Sequence, residues 1–136
     1  MSILWLFEVT GMKMQPGDTV RIRGRILEEV VRFTVNLGKD DRNIALHFDP
    51  RFNHLCDIKK IIMATRKDGT WGHEQKDDHF PFYWGKQVEI IIAFLGDTFE
   101  ITLSTGHRIV LQNSLKMEIL TYMSAFNMTV SDIKFY

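Results

Sequence analysis

Short runs of alternating apolar and polar residues recur along this chain, and turn residues separate them. The clearest run is 19–27, in which Val20, Ile22 and Ile26 alternate with three arginines. Because successive side chains of a strand point to opposite faces, such a run predicts a β-strand with one buried and one solvated face. The preceding residues 15–18 predict a turn, since proline presets φ and glycine accepts positive φ.

Such runs, about ten of them, follow one another at the regular spacing that is typical of an all-β sandwich or barrel. The run 88–95 is rich in β-branched residues and lies between Gly85 and Gly96, a pattern that is typical of a buried strand. A length of 136 residues favours one domain spanning 1–136, with enough chain to bury a core. We therefore predict an all-β, antiparallel fold.

Two segments depart from simple alternation. Residues 114–123 carry apolar side chains at helical spacing and predict one or two helical turns. Residues 126–136 alternate as a strand but change parity between Val130 and Ile133. Because one extra residue in a strand produces such a change, we expect a β-bulge near residues 131–132.

The first residues are apolar on both faces of the strand that they would form. Ile3, Trp5 and Phe7 share one parity, and Leu4 and Leu6 occupy the other. A strand that is apolar on both faces needs a cover on both faces, and a second subunit would supply one. The alternative is a flexible or partly buried terminus, and the sequence leaves both interpretations open.

Charge and cysteine content exclude several classes of function. Lysine plus arginine number 17, as do aspartate plus glutamate, so the formal net charge is zero. A neutral chain without a basic block argues against nucleic-acid binding, because neutralisation of phosphates supplies most of that affinity. No run in the sequence reaches the roughly 18 apolar residues that a membrane-spanning helix needs. Cys56 is the only cysteine, which excludes an intrachain disulfide and favours a reducing compartment. The first residues lack a secretory leader, so we expect a cytoplasmic protein without membrane insertion.

The motifs give little support for catalysis or metal binding. His54, Cys56 and Asp57 lie close together, but no spaced Cys/His pairs complete a zinc set, so we predict no metal and no cofactor. We interpret the paired aspartates at 40–41 and 77–78 as solvated turns. The chain has no glycine-rich phosphate loop and no nucleophile elbow, and we predict no enzymatic activity.

The most distinctive feature is a row of polar side chains in the run 44–51. In a strand, His47, Asp49 and Arg51 point to one face, while the apolar residues between them point to the other. At about 3.3 Å per residue the row spans roughly 13 Å, the length of a small polar ligand such as a disaccharide. Sugar hydroxyls need paired donors and acceptors, and a sugar's C–H face packs on an indole such as Trp71, about twenty residues further on.

The same residues also fit a simpler interpretation. Arg51 with Asp57 or Glu74 forms an ordinary surface ion-pair network in that view, and such networks contribute little energy. Spacing alone does not favour sugar binding over this alternative.

The order of the residues, however, carries a resemblance to a known family. The run 46–53, Leu-His-Phe-Asp-Pro-Arg-Phe-Asn, is followed at 71–76 by Trp-Gly-His-Glu-Gln-Lys and at 80–82 by Phe-Pro-Phe. With the segments 36–40 and 111–115, they resemble galectins, β-galactoside-binding lectins with H-x-N-P-R and W-G-x-E-x-R blocks. The resemblance spans nearly the whole chain. It implies one jelly-roll sandwich of two antiparallel sheets, calcium-independent binding of lactose- and N-acetyllactosamine-type glycans, and no catalysis.

The resemblance also implies roles for individual residues. His47 and Arg51 would bond the axial 4-hydroxyl of galactose, Trp71 would stack on its C–H face, and Glu74 with Arg51 would reach the neighbouring sugar. The implied sugar-binding residues are His47, Asp49, Arg51, Asn53, Trp71, Glu74 and Lys76, with Asp57 in support.

Three positions depart from the family's usual residues. Asp49 stands in place of an asparagine, which keeps an acceptor but loses a donor and adds charge. Lys76 stands in place of an arginine, which replaces a planar fork by a point charge. Ala64 stands in place of an asparagine that bonds the galactose 6-hydroxyl, and alanine offers no hydrogen bond. One lost hydrogen bond costs about 0.5–1.5 kcal/mol, so we expect weaker or altered galactoside binding.

Two hypotheses about function follow. The first is a galactoside-binding lectin, a homodimer paired through its terminal strands, cytoplasmic and with leaderless export to the extracellular space as a further expectation from the resemblance. The second is a structural or protein-interaction member of the same fold that has lost sugar binding, as Ala64, Asp49 and Lys76 together would suggest.

Overall fold

The structure, a computed structural model, describes residues 6–136, and twelve β-strands form within that range. In chain order they are β1 (Leu6–Met14), β2 (Thr19–Ile26), β3 (Thr34–Asp40), β4 (Asn43–His54), β5 (Asp57–Lys67), β6 (Thr70–Trp71), β7 (Gln75–Asp77), β8 (Gln87–Phe94), β9 (Thr98–Leu103), β10 (Arg108–Gln112), β11 (Leu120–Phe126) and β12 (Met128–Phe135).

The strands form two antiparallel sheets. The seven-stranded sheet has the order β1-β11-β3-β4-β5-β6, with β7 also paired to β5, and the five-stranded sheet has the order β10-β9-β8-β2-β12. This arrangement confirms the predicted all-β, antiparallel fold and shows that it is a two-sheet sandwich rather than a barrel. The two terminal strands, β1 and β12, each lie at the edge of a sheet.

Alternate residues of β2, β8 and β9 enter a hydrophobic core between the sheets. The largest fully buried side chains include Phe33, Phe48, Phe94 and Phe99. Burial of such side chains contributes roughly 1.5–3 kcal/mol each. Because β4 places Phe48 in this core, its neighbours in sequence must face away from the core, and this alternation positions the candidate site.

The helical prediction for residues 114–123 is wrong. The structure has turns there until β11 begins at Leu120, and none of the described residues is helical. The Asn113 side chain explains the turns, because its Nδ2 donates to the carbonyl oxygens of Met117 and Gly96. Lys116 has a φ of +53°, which no α-helix accommodates. Within residues 6–136 there is accordingly no helix that could span a membrane.

The predicted irregularity in β12 is confirmed, since its register against β2 shifts between Val130 and Asp132. A bulge that the sequence did not predict lies in β4. The backbone N–H groups of Phe52 and Asn53 both donate to the carbonyl oxygen of Val31, at 2.9 and 3.1 Å. Two consecutive donors on one acceptor mark a β-bulge, so the face on which side chains lie changes at this point of β4.

The two-sided apolar pattern at the N-terminus falls mostly outside the described residues. The structure begins to describe the chain at Leu6, which is exposed, while Phe7 packs partly against the core. Residues 3–5 lie outside the described range, so that interpretation stays a prediction.

Candidate functional site

The site lies on the face of the seven-stranded sheet that points away from the core. His47, Asp49 and Arg51 alternate along β4 as predicted, and all three are buried although they are polar. On the neighbouring strand β5, Ala64 lies opposite His47 and Ile62 lies opposite Asp49. A buried polar row on the outer face of a sheet requires partners for each charge, and the structure supplies them.

Asp49 is the centre of this row. Its Oδ2 lies 2.9 Å from Arg51 Nε, 3.4 Å from His47 Nε2 and 3.5 Å from Arg32 Nη1. Burial by itself raises the pKa of the Asp49 carboxyl, but the His47 hydrogen bond and the charges of His47 and Arg32, with the Arg51 hydrogen bond, outweigh it and lower the pKa below its usual value. All three partners lie at Oδ2 of this carboxylate, whereas its buried Oδ1 has no hydrogen-bond partner among the described residues.

Arg51 connects Asp49 to a second carboxylate. Its Nη1 donates to Asp57 Oδ2 at 2.8 Å, and Lys76 Nζ reaches the other oxygen of Asp57 at 2.9 Å. The hydrogen bond from Lys76 lowers the pKa of Asp57, and the same bond raises the pKa of Lys76. Two carboxylates, those of Asp49 and Asp57, thus hold the Arg51 guanidinium in one orientation.

Trp71 forms the wall of the site. It lies on β6, next to β5, and is half-exposed. Its ring centroid is 4.4 Å from that of His47 at an interplanar angle of 49°, and the guanidinium carbon of Arg66 lies 5.1 Å from the ring centre. These contacts position the indole beside the polar row, where it lines the cleft.

Together these side chains enclose an open cleft of about 200 Å³. Its lining combines cations, one carboxylate, an indole and small apolar groups: Arg32, His47, Arg51, Leu55, Ile62, Ala64, Trp71 and Glu74. Such a surface offers hydrogen-bond donors and acceptors on its floor and an apolar wall at its side. This chemistry suits a ligand with many hydroxyl groups and one C–H-rich face.

Most of the predicted site residues come together here, but one does not. His47, Arg51, Trp71 and Glu74 line the cleft, Asp49 lies beneath it, and Asp57 with Lys76 closes one end. Asn53 instead lines a separate apolar pocket with Phe52, Ile58 and Trp84. The bulge in β4 is the physical reason, because it directs His54 rather than Asn53 to the side of Arg32.

Sequence reasoning missed Arg32, His54 and Asn36. An isolated bridge to Arg51 brings Arg32 to the cleft, and its Nη1 lies 3.2 Å from His54 Nε2. Burial, and then the charges of Arg32 and Arg51, lower the pKa of His54. Asn36 contacts His47 from β3, and its parity within the alternating run 32–37 was the available signal.

The interpretation of residues 77–78 as a solvated turn is wrong for Asp77. This residue belongs to β7, and its carboxylate accepts hydrogen bonds from His107 Nε2 at 2.9 Å and from the His79 backbone N–H at 2.8 Å. The rings of His79 and His107 stack with centroids 4.1 Å apart. No group of three potential metal ligands converges among residues 6–136, this cluster included.

Comparison with known proteins agrees with this geometry. A family model described as galactoside-binding lectin matches residues 6–135. The chain belongs to the galectin family. Goat galectin-1 is 40% identical over 116 residues, which cover 85% of this chain and 86% of that protein.

Solved galectin structures match the fold over almost the entire chain. The chicken liver agglutinin CG-16, described as homodimeric, aligns with a TM-score of 0.92 and 34% identity, covering 97% of this chain and 100% of the other. A toad ovary galectin in complex with thio-digalactose aligns with a TM-score of 0.94 and 28% identity, covering 96% and 98%. The two sheets of this galectin are therefore those of the galectin jelly roll.

Proposed function

We propose that this galectin is a single carbohydrate-recognition domain that binds β-galactosides of the lactose and N-acetyllactosamine type without calcium. The observation that carries the proposal is the convergence of His47, Arg51, Trp71 and Glu74 on one cleft. These residues come from strands β4 and β6 and from the segment before β7, and the cleft unites donors, an acceptor and an aromatic wall.

The geometry supports a specific division of roles. The indole of Trp71 stacks on the C–H face of galactose, whose axial 4-hydroxyl then faces His47 and Arg51. Arg51, held by Asp49 and Asp57, offers its remaining guanidinium N–H groups without a further loss of side-chain freedom. Glu74 accepts from hydroxyls of the second sugar.

Ala64 is the position that weakens this site in our proposal. It lies directly opposite His47 on β5, is buried, and offers the ligand only a methyl group. Asp49 is a milder change, because its charge is balanced by Arg51, Arg32 and His47. Lys76 is bound to Asp57, so its ammonium is already committed.

The proposal is tested by titrating lactose into the purified protein by calorimetry under reducing conditions, with sucrose as the control sugar. We expect saturable, lactose-selective heat. Ala64→Asn should raise the affinity about two- to tenfold, since one added hydrogen bond contributes about 0.5–1.5 kcal/mol. No lactose heat from the folded wild-type protein and from Ala64→Asn would refute galactoside binding.

Two tryptophans provide a matched pair of variants for the same titration. Trp71 and Trp84 are 46% and 45% exposed, but only Trp71 lines the cleft. Trp71→Leu should abolish lactose heat, whereas Trp84→Leu should preserve it, with circular dichroism to verify that both variants fold. Equal losses in the two variants would mean that the effect of Trp71 is structural.

We extend the proposal to a homodimer that pairs through its terminal strands. β1 and β12 are both sheet edges, and Leu6, Phe135 and Tyr136 are exposed apolar side chains there. An agglutinin crosslinks glycans only when it carries at least two sites, and the similar chicken protein is described as homodimeric. Deletion of residues 2–7 should give a monomer in sedimentation; a truncated dimer would contradict this part.

We place the protein in the cytoplasm, because its one cysteine, Cys56, is an exposed free thiol that suits a reducing compartment, and we add export to the extracellular space as a further step. Detection of the untagged protein in cell lysate and culture medium tests this. A structural or protein-interaction role without sugar binding remains the second candidate, and Ala64 is the observation that favours it. Absence of lactose heat together with a specific protein partner would establish that second role.

A further inference from the structure

A second pocket, distant from the cleft in its lining, collects three lysines from three separate segments of the chain. It lies where the ends of β3 and β5 meet the loop 113–119 that precedes β11, and its volume is about 390 Å³. Its lining residues are Lys39, Asn43, Lys67, Ser114, Leu115, Lys116 and Met117. None of these residues lines the sugar cleft, so the two pockets are separate.

The charge of this lysine pocket is unbalanced, because three ammonium groups and no carboxylate line it. Within residues 6–136, Lys60 and Lys76 form ion pairs, but none of the three lysines of the pocket does so. Asp40, on the turn beside the pocket, accepts with Oδ1 from the Arg42 backbone N–H and from Asn43 Nδ2. Like charges that gather without a counter-charge repel one another, and an anion between them removes that repulsion.

The loop that carries Lys116 is held in place from within the fold. Asn113 is buried, and its Nδ2 donates to the carbonyl oxygens of Gly96 and Met117, each at 2.8 Å. Lys116 has a φ of +53°, a left-handed conformation that a residue other than glycine adopts at an energetic cost. The hydrogen bonds of Asn113 on both sides of Lys116 maintain this conformation, so the backbone of the pocket is formed before a ligand binds.

We propose that the lysine pocket binds a tetrahedral oxyanion, namely a phosphate or sulfate group. An ammonium is a compact point charge with three donors, and it suits an oxyanion in any orientation, whereas a planar carboxylate is matched best by the arginine fork. The Ser114 hydroxyl adds a neutral donor, and the partly buried Leu115 and Met117 offer apolar surface to the rest of the ligand. This inference does not rest on galactoside binding.

Titration of ¹⁵N-labelled protein, followed by nuclear magnetic resonance, tests the proposal. The probes are inorganic phosphate, inorganic sulfate and a sulfated disaccharide without galactose, with its unsulfated form as the control. Sodium chloride at equal ionic strength measures general screening of charge. We expect saturable shifts of the backbone N–H signals of residues 39–43, 67–70 and 114–117. If chloride produces the same shifts, or if no probe reaches saturation, the proposal is overturned.

The comparison of probes identifies the source of the oxyanion. Saturation by the inorganic ions at concentrations similar to those of the disaccharide supports a free ion as the ligand. Saturation by the sulfated disaccharide at concentrations where the inorganic ions have no effect supports a sulfated sugar. Equal shifts with the sulfated and the unsulfated disaccharide would overturn the proposal, because the oxyanion would then contribute nothing.

Lysine variants test which groups bind the oxyanion. Lys67→Gln and Lys116→Gln each remove one of three charges and should weaken the affinity about two- to fivefold, the effect of one exposed charge pair, and the double variant should not saturate. Lys86→Gln is the matched control, since Lys86 is also exposed, forms no ion pair with the described residues and lies outside the pocket. Equal losses in Lys86→Gln and Lys116→Gln would mean that only net charge matters, and would overturn the proposal.

The lactose titration keeps this inference distinguishable from the proposed function. A wild-type protein that binds no lactose but saturates with an oxyanion probe refutes the proposed function and supports the lysine pocket. A protein that binds lactose but saturates with none of the probes refutes the lysine pocket alone. Because all three lysines are exposed, their replacement should leave the fold intact, which circular dichroism verifies.

Discussion

Replacement of Arg51 by alanine tests the charge network beneath the cleft. Arg51 is 6% exposed and holds Asp49, which is 0% exposed, through a 2.9 Å bond. Without the guanidinium, Asp49 keeps only Arg32 at 3.5 Å and His47 at 3.4 Å, both longer than the roughly 2.7–2.9 Å of a strong charge-assisted bond. Asp57 still has Lys76, so the uncompensated charge is that of Asp49.

The size of the effect follows from that residual pairing. Removal of one partner from a buried ion pair destabilises a protein by about 3–5 kcal/mol. Since Arg32 and His47 remain within reach of Asp49, we expect the lower end, about 3 kcal/mol. This should appear in urea unfolding as a lower midpoint with an unchanged slope, which reports a change in stability rather than in the surface exposed.

A second arginine–carboxylate pair gives the control. Arg23 donates to Glu89 at 2.6 Å, but its side chain is 50% exposed on the face of the five-stranded sheet that points away from the core. Arg23→Ala should leave the free energy of unfolding near that of the wild type, because exposed pairs contribute little. The double variant Asp49→Asn with Arg51→Ala should recover part of the loss. If Arg51→Ala is no less stable than Arg23→Ala, the charge network beneath the cleft does not stabilise the fold, and the reasoning is wrong.

Two further predictions concern other parts of the fold. Burial by itself raises the pKa of Asp77, but hydrogen bonds from His107 and the His79 backbone, and the charges of both imidazoles, hold the pKa below its usual value. A lowered carboxyl pKa contributes stability that is complete above the unfolded-state value of about 3.9 and is lost as pH falls through the folded-state value. Asp77→Asn should therefore cost about 1 kcal/mol near pH 7 and nearly nothing at strongly acidic pH, by urea unfolding across pH; a difference independent of pH would contradict this. Gly24→Ala should lower the thermal midpoint strongly, because a Cβ at this position collides with the Thr129 carbonyl oxygen across the β2–β12 pairing, and an unchanged midpoint would show that the strands separate without cost.

The strand pattern shows how far local periodicity reaches. In β4, the alternation of apolar and polar residues predicted that His47, Asp49 and Arg51 share a face, and the contacts of Asp49 with His47 and Arg51 confirm it. Two residues beyond Arg51, the resemblance implied that Asn53 belongs to the same site, but a bulge changes the parity of the strand and Asn53 lines another pocket. The bulge depends on the carbonyl of Val31, which approaches only when the strands pair, so no pattern within β4 predicts it.

The segment 114–123 shows how tertiary contacts override spacing. Its apolar residues fit a helix, yet Asn113 bonds the loop and Leu120 pairs with Met14 on β1. Full burial of Leu120 in the core compensates for the helical hydrogen bonds that are not formed. The spacing of apolar residues indicates the structure that a segment prefers in isolation. Here the pairing with the neighbouring strand determines the structure instead.

By itself, the sequence determined which side chains lie on one face of a strand, because the two-residue period is a property of the local backbone. This period predicted the polar row and the all-β class. The order of the motifs separately carried the resemblance to galectins. Only the tertiary structure decided which strands are neighbours. That choice brings Asn36 to His47, Arg32 to Asp49 and Trp71 to the wall of the cleft, since pairing depends on register between segments distant in the chain.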